Sequence, residues 1–139
     1  ESIQTALLMA TMSGVEVNLM FPCKPDHPFV YWATLSYVGE LIMAGANCYT
    51  YDNGFLHAKG LSIDGKACCY GTANMDIRSF ALNFEVNAMI FDQNIAGEME
   101  RIFREDLKCC TRITKEMYKS RSVWIRFKEQ ISRLLSPVL

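Results

Sequence analysis

Hydrophobic positions near the start of the chain change from helical to strand-like spacing and back. Residues 2–13 carry apolar side chains at helical spacing, which predicts a helix. Residues 15–21 alternate between apolar and polar side chains, as a half-buried strand does. Residues 29–44 predict a second helix, which ends at Gly45.

The middle of the chain predicts several short strands. Residues 46–52 predict one strand, and residues 55–63 and 66–72 predict a hairpin around Asp64-Gly65. An Asp-Gly pair between two apolar segments is a strong signal for a two-residue hairpin loop. Residues 84–91 alternate again and predict a further strand.

From Asp92 onward the pattern predicts helices and no further strand. These helices cover residues 94–108, 114–120 and 122–135. Helices that alternate with strands, together with a hairpin, predict an α/β fold in which a mixed β-sheet is flanked by helices, with a helical C-terminal region. Since no repeat or low-complexity linker divides the chain, we expect a single domain over residues 1–139.

Composition narrows the class of protein. A net charge of −1 excludes the strongly basic surface typical of nucleic-acid binding. The six cysteines form no zinc-site spacing, so we expect buried or half-buried thiols in a reducing cytosol. No apolar run approaches the roughly 18–20 residues of a membrane span. The chain begins within a helical pattern and without methionine, which indicates a fragment of a longer protein.

Polar side chains interrupt the apolar hairpin segments in a pattern that suits phosphate chemistry. His57 and Lys59 are two positions apart and therefore share one face of an extended segment. Pairing around the Asp-Gly turn brings residues 70–74, with Thr72 and Asn74, beside them. Imidazole, ammonium, hydroxyl and carboxamide groups would then surround an anionic tetrahedral group such as a phosphodiester.

For a lone His-x-Lys pair, a core histidine beside a surface lysine is the better interpretation. The full pattern here is H-x-K-x4-D-x6-G-T-x-N, from His57 to Asn74, and it resembles the signature of the phospholipase D superfamily. The segment "GTANMDIRSFALNFEVNAMIFD" and the ending "RLLSPVL" further resemble the C-terminal half of a bacterial cardiolipin synthase. The resemblance covers the whole chain and implies a phospholipase D-like catalytic fold.

The resemblance implies a role for each matched residue. His57 would attack phosphorus and form a phosphohistidine, which divides phosphoryl transfer into two displacements. Lys59 and Asn74 would hold the non-bridging oxygens, and Thr72 would add a hydroxyl donor. Glu85 matches the acidic residue that orients the histidine, although an edge-strand carboxylate facing water is the alternative.

Three further charged residues follow from the same resemblance. Asp64 belongs to the catalytic signature, but its place in the turn predicts a structural role. Asp76 and Arg78 come after Asn74 and could reach a lipid headgroup, with helix capping by Asp76 as the alternative. The implied mechanism needs no metal or other cofactor.

The chain contains one such motif, whereas phospholipase D chemistry uses two. The other histidine, His27, lies in the proline-rich "KPDHPF" segment and has no lysine two positions on. The second motif would come from the first half of the same parent chain or from a homodimer partner. We therefore expect half an active site, which could pair with a second copy through the same surface.

The resemblance also implies a membrane substrate. One phosphatidylglycerol would form phosphatidyl-His57 and the hydroxyl of a second would displace it, giving cardiolipin and glycerol. A hydrolase, whether phospholipase or nuclease, and an inert half-site are the alternatives. We expect attachment to the cell membrane through the parent protein, with this domain soluble on the cytoplasmic side and binding no nucleic acid.

Two aromatic or apolar segments are candidates for contact with the bilayer. Residues 28–32 combine aromatic side chains with a proline loop, and packing and membrane contact are equally favoured there. The last helix, 122–135, carries an apolar stripe beside basic residues, and we expect that stripe to pack onto the sheet.

Overall fold

The computed structural model describes residues 2–23 and 28–135, which form two compact units. One unit combines the chain up to Phe55 with the segment from Cys110 onward, and the other covers Leu56–Cys109. The predicted loop around His27 and the last four residues of the "RLLSPVL" ending lie outside the described residues.

The first unit contains a three-stranded mixed sheet and four helices. Its elements, in chain order, are α1 (Ser2–Met12), β1 (Asn18–Pro22), α2 (Pro28–Ala44), β2 (Asn47–Tyr51), β6 (Cys110–Ile113), α5 (Lys115–Lys119) and α6 (Val123–Leu135). The strand order is β1-β2-β6, in which β1 and β2 are parallel and β2 and β6 are antiparallel. A parallel pair needs a crossover connection, and α2 provides it.

The core of this unit lies where α2 covers the sheet. Its buried residues share one continuous apolar cluster, consisting of Phe21, Leu35, Val38, Leu41, Ile42, Ala46 and Cys48. Burial raises the pKa of the Cys48 thiol to about 11, so this cysteine is an inert apolar side chain at neutral pH. Helix α2 ends at Gly45, whose φ of 117° is a conformation that glycine adopts without strain.

The second unit is built on a three-stranded antiparallel sheet. Its elements, in chain order, are β3 (Gly60–Ile63), β4 (Ala67–Gly71), α3 (Ile77–Ala81), β5 (Asn87–Ile90), α4 (Gln93–Asp106) and a short 3₁₀ turn (Leu107–Cys109). The order is β3-β4-β5, with Gly60 opposite Tyr70 and Gly71 opposite Asn87. Helix α4 packs against this hairpin, where Cys68 and Ala96 are almost completely buried.

The turn between β3 and β4 confirms the predicted hairpin. Asp64 has φ 51° and Gly65 has φ 59°, so both central residues adopt the left-handed conformation that a type I′ turn requires. The Lys66 N–H donates to the Ile63 carbonyl at 2.9 Å and closes the turn. This turn fixes the register that places the motif residues.

The α/β class with sheets flanked by helices is confirmed, but three elements differ from prediction. The strands form two sheets rather than one mixed sheet. Strand β6 and the short helix α3 were not predicted. Strand β6 is half polar, with Thr111 and Arg112 in its centre, and it forms because it pairs with the edge of β2. The strand predicted from residue 55 begins only at Gly60.

The prediction for the last helix was wrong. In α6 the apolar Trp124 and Leu134 are 74% and 81% exposed, whereas Glu129 and Ser132 are each 1% exposed. The carboxylate of Glu129 pairs with Arg121 at 2.9 Å, and this ion pair keeps the polar side of the helix inward. For the aromatic segment at the start of α2, Tyr31 and Trp32 pack against the core, as the packing alternative predicted.

Candidate active site

The histidine and lysine of the motif lie in an irregular segment directly before β3. Two backbone hydrogen bonds continue the sheet register beyond the strands: Gly71 N–H donates to the Lys59 carbonyl at 3.3 Å, and Thr72 N–H donates to the Val86 carbonyl at 3.0 Å. Segments 57–59 and 85–87 therefore flank residues 71–73 on opposite sides. The predicted position of residues 70–74 beside the segment with His57 and Lys59 is confirmed at Gly71.

The hydrogen-bonded register places Lys59, Gly71 and Asn87 in one row. Gly71 bonds to the Lys59 carbonyl and pairs with Asn87 across β4 and β5, so the Lys59 and Asn87 side chains lie on the same face. A Cβ at Gly71 would lie 2.2 Å from Asn87 Oδ1 and 2.6 Å from Asn87 Cα. Glycine is required at this position because Asn87 occupies the space that any other side chain would need.

The hydroxyl of Thr72 is engaged within the protein. Its Oγ1 accepts a hydrogen bond from Val86 N–H at 2.9 Å, and its own proton faces two acceptors, the Val86 carbonyl at 3.4 Å and the Glu85 carboxylate. A hydroxyl has one proton to donate. The predicted donation from Thr72 to a phosphate therefore competes with Glu85 for the same proton.

The carboxylate of Glu85 is surrounded by hydrogen-bond donors and a cation. The hydrogen bond from Thr72 has the largest effect on its pKa, and hydrogen bonds from Asn83 and Ser79 and the charge of Lys59 act in the same direction. Together they lower the pKa of Glu85 against a smaller opposing effect of desolvation. Asn83 Nδ2 lies 3.3 Å from Glu85 Oε1. Glu85 is consequently held as an anion beside a cation.

The loop that carries Asn74 is tied to α3 by a serine that the sequence reading missed. Asn74 N–H donates to Ser79 Oγ at 3.1 Å, and Ser79 N–H donates to Asp76 Oδ1 at 2.7 Å. Ser79 is 5% exposed and also donates to Glu85. Asp76 thus caps α3, which is the alternative that the sequence left open. The sequence signal for this cap was the spacing of Asp76 and Ser79, an aspartate followed three residues later by a serine.

Asn87 is a second residue that the sequence reading missed. Its Oδ1 accepts from Ala73 N–H at 3.4 Å, a contact that depends on the pairing of β4 with β5. By contrast, Asp64 lies in the β3–β4 turn, at the opposite end of the hairpin from Lys59. The side chain of Arg78 is exposed on α3.

The assembled groups can bind and attack a phosphodiester. Lys59 is half-buried, and its Nζ lies 3.5 Å from the His57 carbonyl oxygen, so the ammonium stays next to the histidine backbone. A cation and amide donors offset charge that develops on phosphoryl oxygens, and a neighbouring carboxylate favours an oriented imidazole. Within residues 2–23 and 28–135, no group of three or more His, Cys, Asp or Glu side chains could hold a metal ion.

Comparison with known proteins agrees with this geometry. The sequence model of the family described as "Cardiolipin synthase, PLD-like domain" matches residues 1–107, which include every residue of the candidate site. The chain belongs to this family. The phospholipase D-like resemblance seen in the motif is thereby confirmed.

Similar proteins carry the same family name over the whole length of this chain. It is 55% identical over 139 residues to the cardiolipin synthase of Oceanobacillus iheyensis, covering 100% of this chain and 29% of that protein. It is 56% identical over 138 residues to the major cardiolipin synthase ClsA of Bacillus subtilis, covering 99% and 29%. With cardiolipin synthase 1 of Staphylococcus epidermidis it shares 54% over 139 residues, covering 100% and 28%.

The cardiolipin synthase-like domain thus spans about 29% of the length of its curated relatives. Among its described residues, no helix combines the length and the apolar character needed to cross a bilayer.

Proposed function

We propose that this domain supplies one half of the active site of a phosphatidyltransferase that makes cardiolipin from two phosphatidylglycerol molecules. One observation carries the proposal: the carboxylate of Glu85 is kept ionised near Lys59, and Lys59 lies beside Gly71 and two residues after His57. The names of the similar proteins support cardiolipin as the product.

The reaction consists of two displacements at phosphorus. An imidazole nitrogen of His57 attacks the phosphodiester of one phosphatidylglycerol, and the bond from phosphorus to the glycerol oxygen breaks. Glycerol leaves with a proton supplied by the second motif of the family. A hydroxyl of the second phosphatidylglycerol then attacks phosphorus of the phosphatidyl-His57 and gives its proton to the second motif, which acts as the base. The phosphorus–nitrogen bond breaks, and cardiolipin and free His57 result.

The other residues stabilise these steps. Lys59 and Asn74 hold the non-bridging oxygens, where negative charge increases in the transition state. Glu85 accepts a hydrogen bond from one ring N–H of His57 and so orients the imidazole with its other nitrogen free to attack. Thr72 acts chiefly through Glu85, because its hydrogen bond has the largest effect on the pKa of that carboxylate. Arg78 is a proposed headgroup contact, whereas Asp76 acts as the cap of α3.

The second motif must come from outside this chain. We propose that it belongs to the remaining part of a longer two-motif protein, of which these 139 residues form one catalytic domain. Pairing of two copies of this chain would supply the same groups. The parent would be bound to the cell membrane, with this domain on the cytoplasmic side.

Hydrolysis is the second candidate reaction, because water can replace the acceptor alcohol at the phosphohistidine. It would convert phosphatidylglycerol to phosphatidic acid and glycerol. Product analysis separates the two reactions: radiolabelled phosphatidylglycerol, incubated with the full-length parent, gives labelled cardiolipin in the first case and labelled phosphatidic acid in the second.

Substitution of two site residues tests the assigned roles in the same assay. His57→Ala should lower cardiolipin formation by at least about a thousandfold, since it removes the nucleophile. Glu85→Gln should lower it by about a hundredfold. The matched control is Glu98→Gln, which alters an exposed carboxylate on α4 that pairs with Arg101. Unchanged synthesis by His57→Ala would contradict the mechanism.

Measurements on the 139-residue chain alone test whether two copies of it pair to form a complete site. Light scattering coupled to size exclusion measures its mass. A dimer that forms cardiolipin supports a shared site between two copies, whereas a strict monomer without turnover supports the longer two-motif protein as the source of the second histidine.

A further inference from the structure

Helix α6 presents its polar side to the protein interior. Glu129 and Ser132 are each 1% exposed, and Glu129 pairs with Arg121 at 2.9 Å. On the same side, Arg133 pairs with Glu40 of α2. The guanidinium of Arg133 also lies 4.8 Å from the ring centroid of Tyr37. Ion pairs and a cation–π contact therefore hold α6 against α2.

The opposite side of α6 is apolar and exposed. At 3.6 residues per turn, its large apolar side chains form one stripe, the α6 stripe, which consists of Val123, Trp124, Phe127, Ile131, Leu134 and Leu135. Trp124, Phe127 and Leu134 are 74%, 56% and 81% exposed. A contiguous apolar surface with a polar rim is typical of an interaction site rather than of a solvated helix face.

The charges around the stripe have one sign. From Lys119 to Leu135 the chain carries five cationic side chains, of which Arg121 and Arg133 take part in the inward ion pairs, and one carboxylate, Glu129, which is buried in its ion pair. Helical geometry places Arg126 along one edge of the stripe and Lys128 along the other. Lys128 Nζ lies 5.6 Å from the ring centroid of Trp32. The exposed surface of α6 is thus apolar and cationic, although the whole chain has a net charge of −1.

We propose that the α6 stripe binds the interface of an anionic lipid bilayer. A helix of this kind lies in the plane of the membrane, with Trp, Phe and Leu at the boundary between headgroups and acyl chains. Arg126 and Lys128 then meet the lipid phosphates, and the anionic surface attracts them further. The apolar stripe thus matches the acyl chains of such a bilayer, and the cations beside it match the lipid phosphates.

Charge argues against a second copy as the occupant. In a two-fold contact the same patch lies on both partners, so the cations that border one stripe would meet those that border the other. Like charges at an interface are unfavourable, whereas lipid phosphates complement them.

Vesicle binding by the 139-residue chain tests this proposal without any turnover, so the result is independent of the proposed reaction. The anionic surface is provided by phosphatidylcholine vesicles in which about one lipid in three is phosphatidylserine. These vesicles do not contain the proposed substrate. We expect sedimentation with these vesicles, at least about tenfold weaker binding to pure phosphatidylcholine, and weakening by added salt.

Paired variants locate the contact. Phe127→Ser with Leu134→Ser should weaken vesicle binding by at least about tenfold. The control pair, Met12→Ser with Phe91→Ser, removes side chains that are 79% and 80% exposed on other elements, and it should bind as the unaltered chain does. Circular dichroism and thermal unfolding verify that both pairs fold.

Fluorescence identifies the residue that enters the interface. The chain has two tryptophans, so Trp32→Phe leaves only Trp124 as a reporter. A blue shift of its emission with anionic vesicles supports the proposal. Three results would overturn it: no binding by the folded chain, equal binding by the Phe127/Leu134 pair, or conversion of a lipid-free dimer to a monomer by that pair, which would identify a second copy as the occupant.

Discussion

Ser79 Oγ accepts a hydrogen bond from the backbone N–H of Asn74 at 3.1 Å. The same hydroxyl donates to Glu85, so one buried serine connects the proposed phosphate-binding loop with the carboxylate proposed to orient His57. Asn74 and Ser79 come together because Asp76 caps α3. This cap turns the chain so that Ser79 lies under the loop that carries Asn74.

Ser79→Ala should reduce kcat of the parent enzyme by about tenfold, because loss of one hydrogen bond of this kind costs about 1–1.5 kcal/mol. It also removes a donor that lowers the pKa of Glu85. Since the ionised carboxylate is the active form, activity is lost as pH falls through that pKa, and the acidic limb of the pH–rate profile should move to higher pH. Ser120→Ala, at the exposed end of α5, is the control. A lower rate with an unmoved acidic limb would contradict a link to Glu85.

Gly71→Ala should destabilise the domain by about 1–3 kcal/mol, because its Cβ would lie 2.6 Å from Asn87 Cα and force the strands apart. Urea unfolding measures the change. Gly97→Ala on α4 is the matched control: a Cβ there meets no atom within 4 Å, and alanine in a helix should stabilise by about 0.5–1 kcal/mol. Equal stability of the two variants would show that the space over Gly71 is not occupied as described.

Asp64→Asn should retain the activity of the parent within about twofold, since a surface substitution of this kind changes stability little. Asparagine tolerates the φ of 51° that the turn imposes. Asp64→Val, which is strained at positive φ, should lower the midpoint of thermal unfolding and leave the remaining folded enzyme active. Loss of activity in a fully folded Asp64→Asn variant would instead assign Asp64 a catalytic role.

Arg121→Met should cost about 3–5 kcal/mol at neutral pH, because it leaves the buried Glu129 carboxylate without its partner. Burial already raises the pKa of Glu129, and loss of the Arg121 charge raises it further. A carboxyl with a raised pKa in the folded state stabilises the fold as pH falls through that pKa, so the cost should shrink toward acidic pH. Unfolding titrations at several pH values check this.

The control for Arg121→Met is Arg101→Met, which breaks an exposed pair with Glu98 on α4. Exposed pairs contribute little, so its effect should be much smaller than that of Arg121→Met. A cost for Arg121→Met that is the same at every pH would contradict the role of Glu129 ionisation.

The hairpin could be predicted because its signals are local. Asp64-Gly65 specifies the turn type, the turn fixes the register, and the register places Lys59 next to Gly71 and Thr72. The contact of Asn87 with Ala73 could not be read from the sequence, since it depends on where β5 folds back onto the hairpin. The contacts of Ser79 are local and had a signal in the Asp76–Ser79 spacing.

Strand β6 could not be predicted for a similar reason. Its four residues are half polar, and its pairing with β2 connects Thr111 with Asp52 at 2.5 Å across a sequence separation of 59 residues. The non-local pairing, and not the hydrophobic pattern of the segment, makes it a strand.

The sequence by itself determined the hairpin and the types of most helices and strands, with β6 and α3 as exceptions, because periodicity and turn chemistry act over a few residues. It also determined that α6 is amphipathic. Only the tertiary structure decided which side of α6 faces inward: the ion pairs of Glu129 with Arg121 and of Arg133 with Glu40 connect residues that are distant along the chain or on different helices. Those pairs place the polar side of α6 against α2 and leave its apolar side exposed.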